Sequence, residues 1–280
     1  MHGIKVGVLY PGAMGISVAA AAQRSGNLVC WCSAGRSPAT RQRAGRQRLL
    51  EISSMREFCQ TCVVLISVCP PHAAEDVAEE VLASGFQGIY CDANAIAPDT
   101  VRRIAGLMGV AGVACVDGGI IGGPAWEPGS TWLYLSGGRA ADIAELFSAG
   151  PFETAVIGAE PGKASALKMC YAAYTKGSTA LITTILSAAD DLDVWEELKA
   201  QWQRDFPQLA ETAEMRARRV TAKAWRFAGE MDEIAATFRS TGAPGEFHTG
   251  AAIVYRELTK FKDAPELPDL EDVLRAVRGR

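Results

Sequence analysis

The sequence lacks an excess of positive charge, an apolar run long enough to span a bilayer, and a complete zinc or disulfide framework. Its 28 Lys and Arg are outnumbered by 32 Asp and Glu, for a formal net charge of −4 over 280 residues. Such a balance gives no global attraction to nucleic acid or to an anionic membrane surface, so the expected partner is a small-molecule substrate. The Ala-rich stretch around Val18 is interrupted by Gln23 and Arg24, well short of the roughly 18–20 apolar residues that a membrane helix needs. The first residues run directly into a strand pattern without the charged and apolar segments of a secretory signal, and a cytoplasmic location is expected. Among the 8 cysteines, most lie in or beside apolar runs and read as buried thiols. Cys59 and Cys62 form a CxxC, but no second pair or neighbouring histidine completes a zinc site, and no metal is expected.

What is present is an alternation of short apolar strands with amphipathic segments. Strands are predicted at 4–9, 28–32, 63–68, 88–91 and 113–116, with helices beginning near Ala13, Ala73 and Pro98. Two further strands, 132–136 and 154–157, flank a helix beginning near Ala140. The pattern predicts an α/β fold: an N-terminal Rossmann doubly wound parallel sheet over 1–158, followed by an all-helical C-terminal domain over 159–280. In the second domain, helical spacing runs through 164–189, 195–205, 210–238 and 249–258. The first of these helices carries Ala166, Leu167, Tyr171, Tyr174, Leu181 and Ile182, leaving little polar face. A helix apolar nearly all round must be covered nearly all round, either by the chain's remaining helices or by a partner subunit, and a homodimer through the helical domain is expected.

The first predicted strand ends in Tyr10-Pro11-Gly12-Ala13-Met14-Gly15, and a helix of small residues follows. A strand, a tight turn and a helix make a pyrophosphate cradle, because free amides and the helix dipole favour anions and glycine permits close approach. Gly12 and Gly15 take the second and third glycine positions of GxGxxG, and Tyr10 replaces the first. The second strand ends without the carboxylate that would hold an adenosine ribose; Ser33, Arg36 and Ser37 stand there instead. A guanidinium and two hydroxyls suit a ribose 2′-phosphate, so NADP is expected over NAD, although Arg36 also fits the start of a solvated helix. Val68, Cys69, Pro70 and Asn94 follow strands at their carboxyl ends, where open sheets bind ligands. Asn94 suits a contact with ribose or nicotinamide and equally a turn-stabilising role.

Four segments then stand in order: Gly12-Ala13-Met14-Gly15, Asp92-Ala93-Asn94-Ala95-Ile96-Ala97-Pro98, Asp117-Gly118-Gly119-Ile120-Ile121-Gly122-Gly123, and Gly162-Lys163-Ala164-Ser165-Ala166-Leu167-Lys168. Together they resemble the β-hydroxyacid dehydrogenase family, relatives of 3-hydroxyisobutyrate and 6-phosphogluconate dehydrogenases, over nearly the whole chain. The resemblance implies that Lys168 is the catalytic lysine and that amides around Gly122 and Gly123 bind a substrate carboxylate. Ile121 stands where the family usually has a serine, and Tyr171-Ala172 where it has an asparagine, which implies a different pocket. The Asp-Gly-Gly-Ile-Ile-Gly-Gly form and the later Trp225-Arg226-Phe227-Ala228-Gly229-Glu230-Met231 resemble a subgroup whose C-terminal helical domain has no assigned function.

The chemistry explains the lysine. Hydride addition to a carbonyl leaves negative charge on oxygen, which an ammonium stabilises and protonates; the reverse direction needs the neutral amine. Burial beside Leu167 and Met169 is expected to lower its pKa. A capping or ion-pair role is the structural alternative for Lys168, as a tight turn is for Gly122 and Gly123. Tyr171, three residues on, is a second catalytic candidate, and Trp126 and Trp132 suit either an aromatic wall or plain packing. Glu230 and His248 suit either a site or a structural role. The expected activity is NADP-dependent oxidoreduction between a secondary alcohol and its carbonyl. Imine reduction on the same scaffold and a non-catalytic NADP-binding protein are the alternatives.

Overall fold

The computed structural model describes residues 3–279, and the chain divides into two compact units, Met1–Met169 and Cys170–Arg280. The first unit begins with β1 (Lys5–Leu9), α1 (Ala13–Arg24), β2 (Leu28–Cys32), α2 (Pro38–Arg46), β3 (Leu50–Ile52) and α3 (Met55–Thr61). It continues through β4 (Val64–Ser67), α4 (Ala74–Ala83), β5 (Ile89–Asp92), α5 (Pro98–Val110), β6 (Ala114–Gly122), β7 (Thr131–Ser136), α6 (Ala140–Glu145) and β8 (Phe152–Gly158). These strands form one eight-stranded sheet in the order β3-β2-β1-β4-β5-β6-β7-β8. All neighbours are parallel except β6 and β7. The order reverses between β1 and β4, which creates the crevice at the carboxyl ends where such sheets hold ligands.

A sheet covered on both faces needs apolar residues on both, and the central strands supply them. Val6, Val8, Val29, Trp31, Val64 and Ile66 face one way, onto Ile16, Val18 and Ala19 of α1. Leu9, Cys30, Leu65 and Tyr90 face the other, onto Phe58 of α3, Val77 of α4 and Ile104 of α5. The sequence pattern omitted β3, α2 and α3, and ended β6 six residues early; the glycines after Asp117 continue the strand rather than turning it.

The long helix α7 (Lys163–Asp191) starts in the first unit and supplies the first helix of the second, which continues with α8 (Trp195–Asp205), α9 (Pro207–Ser240), α10 (Glu246–Glu257) and α11 (Leu270–Val277). The division at Met169 falls two turns into α7, eleven residues after the boundary read from sequence. Pro207 opens α9, where a missing N–H does no harm. Ala210, Ala213, Ala217, Val220, Ala224, Ala228, Met231 and Ile234 form its buried stripe, and small residues along it let α10 approach closely. The Tyr255 hydroxyl donates to the Lys176 carbonyl at 2.7 Å and ties α10 to α7. Among the described residues no helix is long and apolar enough to cross a membrane.

Candidate active site

The first turn of α1 has no side-chain cap at Gly12, so the amides of Ala13, Met14 and Gly15 lack intrahelical partners. A Cβ on Gly15 would lie 2.4 Å from the Tyr10 carbonyl oxygen, whereas one on Gly12 would meet only that oxygen at 3.9 Å. Gly15 is therefore fixed by packing, and Gly12 leaves open space beside the amides. That cradle fits a pyrophosphate. Tyr10 adopts φ +65°, a left-handed backbone that its missing glycine would have taken without strain. Its ring carries the Arg36 guanidinium at 3.8 Å from the centroid, so the residue that breaks the glycine motif positions the cation expected to read a 2′-phosphate. Ser37 caps α2, accepting from the Thr40 amide at 3.3 Å. Ser33 is buried, and its carbonyl accepts from Arg41 at 2.9 Å. Arg43 reaches the Pro11 carbonyl at 3.3 Å, a second cation beside the loop that the sequence pattern did not single out.

At the ends of β4 and β5, Asn94 is buried and fully engaged. Its Nδ2 donates to Asp92 at 3.0 Å and Ser67 at 3.1 Å, its Oδ1 accepts from the Cys69 amide at 2.6 Å, and its own amide donates to Asp92 at 3.0 Å. The turn-stabilising role is the one these bonds carry. Burial pushes the Asp92 carboxyl up to about 7, against the hydrogen bonds from Asn94. The Asn94 carbonyl in turn accepts from Lys168 Nζ at 3.1 Å, so the half-buried lysine is held just beyond the carboxyl end of β5.

Asp117 explains why α7 delivers Lys168 there. Buried on β6, it accepts from the amides of Gly162 and Ser165 at 2.8 and 3.0 Å, and from the hydroxyls of Ser165 and Ser136 at 2.6 and 3.0 Å. A carboxylate at a helix N-terminus satisfies free amides and complements the dipole. Gly119 lets the helix sit close, since a Cβ there would lie 2.6 Å from the Ala164 carbonyl oxygen and 3.5 Å from the Lys168 Cβ.

Residues 5–149 match the family model described as the NAD binding domain of 6-phosphogluconate dehydrogenase. The chain belongs to that family. It therefore sits in the β-hydroxyacid dehydrogenase-like superfamily, with a C-terminal helical part whose residues 189–258 match a domain of unknown function, DUF1932. A protein of Methanothermus fervidus described as an uncharacterized 28.5 kDa protein in the 7S RNA 5′ region is 28% identical over 167 residues. That match covers 60% of this chain and 64% of the relative, so the chain spans less than two thirds of that protein's length. A solved structure of a conserved protein of unknown function, described as similar to 3-hydroxyacid dehydrogenases, is 28% identical with a TM-score of 0.68, covering 92% of this chain and 97% of the other. The Mycobacterium tuberculosis 3-hydroxyisobutyrate dehydrogenase structure with L-serine shares the fold at 18% identity and a TM-score of 0.69, covering 99% of both chains.

Within this 6-phosphogluconate dehydrogenase NAD-binding family member, the remaining expected residues separate by environment. Val68 and Cys69 are half-buried and Pro70 exposed; burial pushes the Cys69 thiol up to about 12. Gly122, at φ +124°, has its missing side chain demanded by Ser130 and Thr131, at 2.5 and 2.9 Å. Gly123 faces open space. Ile121 is half-buried opposite Trp132, which is exposed and stacks on Tyr134; Trp126 is exposed in the 123–130 loop. Tyr171 falls in the second unit and is 52% exposed. Glu230 pairs with Lys176 and neither is a free charge. His248 is buried between Phe238 and Phe247, which makes it a packing residue. Cys59 and Cys62 are buried free thiols. No cluster among the described residues is arranged to hold a metal ion.

Proposed function

We propose that this chain is an NADP-dependent oxidoreductase that interconverts a secondary alcohol and its carbonyl, acting on a β-hydroxyacid or a substituted relative. The observation that carries the reading is Lys168 Nζ held on the Asn94 carbonyl at the ligand-binding edge of the sheet. The amides of Ala13, Met14 and Gly15, beside the open space at Gly12, suit the pyrophosphate, Arg36 with Ser33 and Ser37 nearby suits a 2′-phosphate, and Val68, Cys69 and Pro70 suit a wall of the cleft. A nicotinamide cofactor, when bound, supplies or accepts the hydride. Lys168 handles the proton: as ammonium it donates to the carbonyl oxygen during reduction, and as amine it accepts the hydroxyl proton during oxidation. The Asn94 carbonyl fixes where that nitrogen sits. Gly123 offers an approachable backbone for a substrate carboxylate beside Ile121, Gly122 and Trp126, and Tyr171 is a secondary candidate one turn along α7.

Steady-state assays of Lys168→Ala over a panel of β-hydroxyacids, ketoacids and cyclic imines test this. Turnover is expected to fall about 10²–10⁴-fold, with cofactor affinity kept. Near-wild-type turnover sinks the assignment, and preferential reduction of the imines replaces it with the imine reading. Tight cofactor binding with no turnover of any substrate favours a non-catalytic binding protein.

We also infer a homodimer. Tyr171, Tyr174 and Leu181 recur along α7 with 52%, 77% and 46% of their surface exposed in the single chain, a run of large apolar side chains that a second copy would cover. Light scattering should give twice the chain mass; a monomer at working concentrations removes the inference.

A further inference from the structure

A groove of about 580 Å³ opens in the helical unit between α7 and α9, and its charges are unbalanced. Arg216, Arg219 and Lys223 line it from one face of α9, at the i, i+3 and i+7 spacing that brings side chains together. None of the three makes an ion pair among the described residues, and Glu211 is the lone acidic group in the lining. Like charges at this spacing destabilise a helix, so their accumulation calls for a compensating anion.

Arg216 is the built part of the site. It is half-buried, and its Nη2 rests on the hydroxyls of Ser178 and Thr179 at 3.0 and 2.9 Å. Neutral oxygens orient the guanidinium without cancelling its charge, and Nε and Nη1 make no hydrogen bond to the described protein groups. The floor is apolar: Met215, Val220 and Phe227 line it, and the Lys176 ammonium lies 4.9 Å from the Phe227 ring centroid.

We propose that this groove binds the phosphate group of a small organic phosphate, with the apolar body of the ligand on Met215 and Phe227. Three cations against one carboxylate leave a net lining charge of +2. A phosphate monoester carries about −1.5 to −2 at neutral pH and matches it, and guanidinium groups recognise phosphate oxygens by charge-assisted hydrogen bonds. The site does not depend on the hydride-transfer reading, and its test reads binding alone.

Isothermal titration of the full chain at low ionic strength with phenyl phosphate, inorganic phosphate and benzyl alcohol is the experiment. Phenyl phosphate should saturate, inorganic phosphate should bind more weakly, and benzyl alcohol should give no signal. Arg219→Ser with Lys223→Ser removes two exposed, unpaired charges and should leave the melting temperature unchanged while weakening phenyl phosphate at least about tenfold. Arg216→Gln should weaken it further. Phenyl phosphate held at the α1 cradle instead would keep full affinity in the double variant, and that result overturns the proposal, as does absence of saturable binding in the wild type. Equal affinity for inorganic phosphate overturns the role given to the apolar floor.

Discussion

A methyl group on Gly119 would press on the Ala164 carbonyl oxygen from 2.6 Å, and both partners are backbone, so one of them has to move. Gly119→Ala is expected to lower stability by about 1–3 kcal/mol and to reduce turnover as well, because Lys168 lies one turn beyond Ala164. Urea unfolding and kcat measure the two effects; a stability loss with unchanged kcat would show that Lys168 needs no such placement. Arg36 gives a second prediction. Held over the Tyr10 ring, it is expected to contact the 2′-phosphate, so Arg36→Ala should raise the Kd for NADP by about tenfold or more and leave NAD nearly unaffected. Equal weakening of both cofactors would return Arg36 to a structural role. Tyr10 shows why a motif with a missing glycine was still legible: the left-handed turn survives with a tyrosine in it, and the support its ring gives the arginine arises only in the folded chain.

Helix α7 owes its start to a residue distant in sequence. Asp117 binds Gly162 and Ser165 across 45 and 48 positions, and no periodicity within either segment announces such a bond. Asp117→Ala should cost about 2–4 kcal/mol, since buried amides and hydroxyls lose their acceptor together, with hydrogen exchange at 162–168 rising most. Unchanged protection there would mean that the helix start is held by other contacts. The strands legible in the sequence were those buried on both faces, because they read as continuous apolar runs. β3 has three residues with Leu50 and Glu51 exposed, and α2 buries only Ala44, so neither leaves a hydrophobic signature. The second half of β6 was hidden for the opposite reason: its glycines imitate a turn, while Gly119 and Gly118 admit α7 and the β5 end. Lys168 was legible from the resemblance, but Asp117, Ser165 and Arg43 required knowledge of which segments meet.

At the scale of the molecule, two buried groups lead us to expect that the units respond oppositely to pH. His248 in the helical unit has its pKa lowered by burial, so the unfolded chain takes up a proton first and stability is lost as pH falls below about 6.5. Asp92 in the first unit is raised to about 7, so its neutral form favours folding and that contribution fades as pH rises from about 4 through 7. Hydrogen exchange read separately on each unit should show both trends, with His248→Leu flattening the first and Asp92→Asn the second. A trend that persists in its variant belongs to another group.

The single antiparallel pairing in the sheet has its own consequence. Because β7 runs against β6, the 123–130 hairpin loop emerges at the same edge as the carboxyl ends of β1, β4 and β5, yet no other strand is threaded through it. The cradle and the lysine are locked into the sheet and α7, while between its ends this loop is pinned at the buried Ala125, whose amide donates to the Ser17 hydroxyl of α1 at 3.1 Å. Exchanges at its exposed positions, such as Trp126, leave that anchor and the reacting groups untouched, so in the proposed enzyme substrate choice is free to diverge there in evolution, or under laboratory selection, at a rate the chemistry does not share.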